Sequence, residues 1–204
     1  MKKWILAALI VPWMAGGALA QFAGLPIAGG VEPIPSLRAW VGGGAMLTAD
    51  FDLYGLRGDL GIVKNFSLFA DLGLVDPDFG STDWAYQGGG WFILPVDMPL
   101  DVAVRGAIGE ARYDVHGGSV RLHTYNAGVV ASKRVGILVP YTFFGLNYAR
   151  ERIRIKEAGS FSGNDTDLAV AAGLSLNVIP RLTVYAELAH VNDVLVSLGA
   201  RYNF

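Results

Sequence analysis

Residues 193–204 alternate with a period of two. Val194, Val196, Leu198, Ala200, Tyr202 and Phe204 share one parity, while Leu195, Ser197, Gly199, Arg201 and Asn203 share the other. Successive side chains of a strand point to opposite faces, so this segment predicts a strand with one apolar and one largely polar face. The same period recurs through the chain. It predicts strands at about 36–47, 51–63, 66–76, 84–94, 99–110, 119–132, 135–152, 166–178, 182–191 and 193–204. No convincing helical period lies among them.

Hydrophobic residues make up 52% of the chain and 27 residues are glycine. Such a content often signals membrane helices, which need about 20 consecutive apolar residues, yet no run after residue 20 approaches that length. In hydrocarbon every backbone polar group must be paired internally, which leaves helices or closed sheets. The expected fold is therefore all-β, an antiparallel up-and-down transmembrane β-barrel. Ten strands is the expected count. Eight is the alternative, because the first segment is weakened by Gly42, Gly43 and Gly44. A soluble sandwich or lipocalin-like barrel would also alternate, with its apolar face inward.

The connectors differ in length. Lys64-Asn65, Pro95 to Pro99, Lys133-Arg134 and Pro180-Arg181 read as tight turns, and 77–83, 111–118 and 153–165 as longer loops rich in Gly, Asp and Ser. Outer-membrane barrels have short periplasmic turns and longer outer loops. That asymmetry predicts that both termini are periplasmic.

Lys2 and Lys3, the apolar run Trp4 to Met14 and the Ala18-Leu19-Ala20 step predict a cleavable signal peptide over residues 1–20. Pro26, Pro33 and Pro35 among glycines predict an extended periplasmic lead over 21–35, followed by the barrel over 36–204. Removing residues 1–20 moves the formal charge from -2 to about -4, which gives no reason to expect nucleic acid as a partner. The chain has no cysteine, so disulfides and thiolate chemistry are excluded.

Parity sorts the side chains. Leu56, Leu60, Leu68, Leu72, Val104, Ile108, Leu168, Leu174, Val184 and Leu188 fall on charge-free faces suited to lipid. The opposite parity carries Arg57, Asp59, Asp71, Asp101, Arg105, Glu187 and Arg201. Three arginines against four acids predict a paired network, since isolated buried charges are very costly. An eight-stranded barrel is just filled by side chains, and ten strands lie near that end. A filled lumen is the expectation, and a narrow channel for ions or small solutes is the alternative.

The terminal strand, the alternating segments, the signal-like start and the Val139-Pro140-Tyr141 step before Gly145 resemble the small bacterial outer-membrane β-barrel proteins of the OmpA/OmpX-like class. The resemblance implies an exported, integral outer-membrane protein with a structural, surface-interaction or envelope-stability role. It also implies recognition by the barrel-assembly machinery through Leu198, Ala200, Tyr202 and Phe204.

Catalysis finds little support. His116 lies in a Gly-rich loop beside Asp114, and the sequence holds no HExxH or dinucleotide fingerprint. Outer-membrane lipid A deacylases carry a His with a Ser two residues later, but the residue two after His190 is Asn192. No enzyme, cofactor or metal is expected. The most directed feature is a basic stripe. Phe144, Leu146, Tyr148, Arg150, Arg152, Arg154 and Lys156 share a parity that runs from apolar through aromatic to cationic. Arg112, Arg121 and His123 lie at similar height on neighbouring strands. Arginine suits phosphate through charged bidentate hydrogen bonds, so these residues are expected to contact lipopolysaccharide phosphates. The competing reading is a solvated hairpin neutralised by Glu151 and Glu157.

Overall fold

The computed structural model describes residues 29–49, 51–78, 80–115, 118–155, 159–191 and 193–204. The expected signal peptide, most of the lead, and Lys156 and Asn192 lie outside the described residues. The chain forms ten long strands: β1 (Ala39–Leu47), β2 (Phe51–Val63), β3 (Phe66–Pro77), β4 (Asp83–Ile93), β5 (Asp101–Val115), β6 (Gly118–Ser132), β7 (Leu138–Ile155), β8 (Gly159–Ile179), β9 (Leu182–Val191) and β10 (Asp193–Asn203). Each pairs antiparallel with the next, and β1 pairs with β10 from Trp40↔Asn203 to Leu47↔Val196, closing the barrel. Closure removes the sheet edges that an open antiparallel sheet would leave unpaired.

The period of two becomes two surfaces. Leu56, Ile108, Phe144, Leu146, Leu168, Leu188 and Leu198 stand on the outside and remain exposed, whereas their sequence neighbours point into a packed interior. A wide exposed apolar belt is unfavourable in water. It fits hydrocarbon, where a charged side chain at the midplane would cost about 2–4 kcal/mol. The lipocalin-like alternative, with its apolar face inward, is thereby overturned.

Two expected loops are strands instead. β5 runs to Val115 and β6 starts at Gly118, while β7 runs to Ile155 and β8 starts at Gly159. The two hairpins pair with each other as well, from Gly118↔Ile155 downward. Gly, Ser and Asp lower strand propensity locally, but cross-strand pairs outweigh it. Gly80 and Ser81 add a two-residue ladder against Val115 and Asp114. The rim distal to Phe204 is therefore tall over β5–β8 and low over β9, β10 and β1.

The first strand starts at Ala39, later than expected, because the chain reverses just before it. Leu37 has φ 61°, and the Arg38 N–H donates to the Pro35 carbonyl at 3.0 Å. This turn sends the preceding segment into the barrel. Val31 and Ile34 are 2% exposed and Glu32 is 8% exposed. Residues 29–35 form no strand, but they plug the proximal mouth, the one nearest Phe204.

The large aromatics of the interior sit over glycines of the adjacent strand. Tyr141 covers its cross-strand partner Gly173, Tyr185 covers Gly199, and Phe69 covers Gly89; a Cβ at any of these glycines would overlap the ring. A Gly173→Val substitution is expected to displace Tyr141 and destabilise the barrel by about 1–3 kcal/mol, the usual range for overpacking. A denaturant titration of the refolded protein would measure this. An unchanged midpoint would mean that Tyr141 yields freely.

Candidate functional site: a filled lumen and a cationic cluster

The interior is layered. At the distal end Met46, Leu53, Val75, Leu122, Val191 and Leu195 form an apolar layer, each at most 2% exposed. The middle is charged. Arg57 grips Asp71 with two parallel hydrogen bonds, Nε to Oδ1 at 2.6 Å and Nη2 to Oδ2 at 2.7 Å. Gln87 donates to the same Oδ2 at 2.8 Å. The guanidinium groups of Arg57 and Arg105 lie 4.6 and 4.7 Å from the centroid of the Phe69 ring. A ring face attracts cations, more strongly where water is excluded. Arg105 also donates to the Asn126 Oδ1 at 3.0 Å, and the Tyr141 hydroxyl donates to Glu187 at 2.9 Å.

The proximal layer is built around the plug. Arg201 of β10 donates to the Glu32 Oε2 at 2.8 Å while its guanidinium covers the Trp40 ring at 4.0 Å. Arg134, from the turn between β6 and β7, pairs with the other Glu32 oxygen. The Val31 N–H donates to the Ser132 Oγ at 2.9 Å. Ile34 packs with Trp40 and Trp91.

Of the expected lumen charges, Arg57, Asp59, Asp71, Arg105, Glu187 and Arg201 are all buried. Asp101 is not. It has lumen parity but is the first residue of β5, at the rim, and its side chain is exposed. Its place in the charge balance is taken by Glu32, which belongs to the segment expected to be an extended lead. Glu32 carries no local signal of burial; its partners Arg134 and Arg201 lie 102 and 169 residues away. The distal apolar layer has no signature in the sequence either, because Leu53, Val75 and Leu195 sit beside outward Tyr54, Leu74 and Val194, so apolarity does not separate the two faces there.

Outside, the stripe residues form rows across three strands. From the distal rim inward these are Arg112–Arg121–Arg152, Glu110–His123–Arg150, Ile108–Tyr125–Tyr148 and Gly106–Ala127–Leu146. Arg121, His123, Arg150 and Arg152 line a cleft of about 140 Å³. Glu110 reaches Arg121 and the His123 Nδ1, each at 3.3 Å. Arg150 and Arg152 have no carboxylate partner among the described residues. Glu151 points the other way, opposite Leu122, and so cannot neutralise the stripe from the same face. Arg154 continues the stripe towards the rim. Beneath the cleft the Tyr125 and Tyr148 rings meet with centroids 6.0 Å apart.

At the proximal end Leu198, Tyr202 and Phe204 are exposed on the outer face of β10, with Ala200 half-buried between them. Tyr202 and Phe204 pack edge to face at 5.1 Å, and the Phe204 N–H donates to the Ala39 carbonyl. His190 is exposed at the distal end of β9. Among the described residues no group of His, Asp and Glu is arranged to hold a metal.

No protein-family model matches the chain, and no curated protein does. Solved structures do. The N-terminal β-barrel domain of Pseudomonas aeruginosa OprF is 14% identical, with 85% of this chain and 100% of that one covered and a TM-score of 0.45. Ail, the attachment invasion locus protein of Yersinia pestis, is 16% identical over 84% of this chain and 100% of its own, with a TM-score of 0.39. The KdgM porin is 10% identical over 81% and 99%, with a TM-score of 0.44. At such scores the likeness is loose, and the assignment of function rests on this chain's own residues.

Proposed function

We propose that the protein is an integral barrel of the bacterial outer membrane, with a filled lumen, that anchors lipopolysaccharide phosphates and thereby supports the envelope. The arginines directly above the Tyr125–Tyr148 pair, Arg121, Arg150 and Arg152, carry this reading. Going down β6 and β7 the outer face is cationic, then aromatic, then small and apolar, which is the order of headgroup, interface and acyl chain in a bilayer. On this reading the distal rim, where the cations stand, faces outward, and both termini are periplasmic.

Arg150→Glu with Arg152→Glu is expected to weaken lipopolysaccharide binding by about tenfold or more, since a hydrogen bond to a charged group contributes ~1.5–3 kcal/mol. The check is lipopolysaccharide bound per mole of folded barrel after detergent purification. Equal retention by the variant and the parent would remove the proposal's basis. The filled interior predicts no steady conductance in planar bilayers. Reproducible small steps would favour a narrow channel instead.

Assembly through the C-terminal strand belongs to the same proposal. Phe204 deletion removes an outward aromatic and the N–H bonded to Ala39 at the closing seam. It is expected to lower the fraction of heat-modifiable barrel recovered from the outer membrane. An undiminished fraction would count against recognition of this strand.

A further inference from the structure

β8 has neighbours of unequal length. Towards β7 it is paired from Ile155↔Gly159 down to Leu138↔Leu176. Towards β9 the ladder starts only at Val170↔His190. Gly159–Ala169 therefore has no ladder partner on that side among the described residues. At about 3.4 Å per residue this edge is roughly 35 Å long. Residues 159–166 are exposed throughout.

The other side of the raised sheet is treated differently. There the top of β5 is covered by Gly80 and Ser81, paired with Val115 and Asp114. Proteins commonly blunt long free edges with charged side chains, lysine above all, with proline or with a bulge. Gly159–Ala169 contains no lysine or proline, and its ladder to β7 runs without a register shift. Its only charges are two acids, Asp165 and Asp167, which lie two residues apart and so share a face, that of the buried Ala169 and Ala171; they guard the edge against like-charged strands. Pairing with the same edge of a second copy would bring acidic strands together, and like charges across a ladder are destabilising. A cationic strand would meet complementary charge.

We propose that the Gly159–Ala169 edge accepts an added β-strand from a partner polypeptide that is extended and cationic, with Lys or Arg at alternate positions beside Asp165 and Asp167. Main-chain hydrogen bonds would supply affinity, and the alternating side chains selectivity, as in strand addition generally. The arrangement is independent of the lipopolysaccharide cleft, which lies on the outer faces of β6 and β7.

The test is amide exchange by NMR on the whole chain folded in detergent micelles, titrated with a peptide of about ten residues alternating lysine and threonine. Every second amide of Gly159–Ala169 should exchange more slowly on peptide addition, because only alternate groups face the open edge. A joint Asp165→Asn and Asp167→Asn variant should weaken binding by about threefold to tenfold, the range for two exposed ion pairs. No slowing up to millimolar peptide would overturn the proposal. Equal binding of a glutamate–threonine peptide, or of a peptide N-methylated along one edge, would also overturn it. So would slowing that depends on protein concentration without peptide, which would assign the edge to a second copy.

Discussion

Replacing Asp71 by alanine is expected to destabilise the barrel by about 3–5 kcal/mol, the range for a buried ion pair that loses one partner. Arg57 is 4% exposed, and both of its hydrogen bonds to Asp71 lie inside the lumen. Without the carboxylate, Arg57 keeps its place over Phe69 but loses its bidentate acceptor, and Gln87 loses its acceptor as well. Arg105 stands over the same ring and raises the local positive charge. The effect should appear as a lowered urea midpoint and as a smaller fraction of heat-modifiable barrel.

A paired substitution separates the pair from its parts. Arg57→Leu together with Asp71→Leu should recover most of the lost stability, because swapping a buried ion pair for apolar groups is often near neutral. An Asp71→Ala variant as stable as the parent would mean that the charge layer is hydrated enough to tolerate the loss of this carboxylate beside Arg57. The narrow-channel reading would then regain ground.

Much of this barrel is legible in the sequence, for one physical reason. A lipid-facing surface forbids charge at every second position, so parity alone assigns faces, and the limits of β2 and β9 match the alternating segments residue for residue. The same parity groups Arg121, His123, Arg150 and Arg152, because residues on one face of paired strands become neighbours. Where apolar residues occupy both faces the signal vanishes, and the distal apolar layer of Leu53, Val75 and Leu195 could not be read. Propensity misleads at the rim. Gly159 to Asp165 reads as a loop, yet its pairing with β7 keeps it extended. Asp101 shows the limit of parity, which gives a face but not a depth. Glu32 shows another, since a segment without periodicity says nothing about what it packs against.

Glu32 is the second place where a single change should have a large effect. It joins the plug to Arg201 on the last strand and to Arg134 on the β6–β7 turn. Arg201 stands opposite Gly42 across the closing β1–β10 seam and covers Trp40 of β1. Glu32 thus ties the plug to the last strand beside the seam and, through Arg201, to Trp40 of β1. Alanine there should leave Arg201, which is 4% exposed, without this carboxylate. A loss of about 3–5 kcal/mol is expected for the buried partner, and almost none from the exposed Arg134, since surface pairs contribute about 0–1 kcal/mol. Arg134→Ala should therefore be nearly silent where Glu32→Ala is not. Glu32→Gln should fall between them, because an amide oxygen still accepts a hydrogen bond from Arg201 but carries no charge. Proteolysis from the N-terminus supplies a second readout. If Glu32 holds the plug in place, its alanine variant should be trimmed past residue 35 while the barrel itself persists. Equal midpoints and equal trimming for Glu32→Ala and the parent would mean that Val31 and Ile34 hold the plug by apolar packing alone.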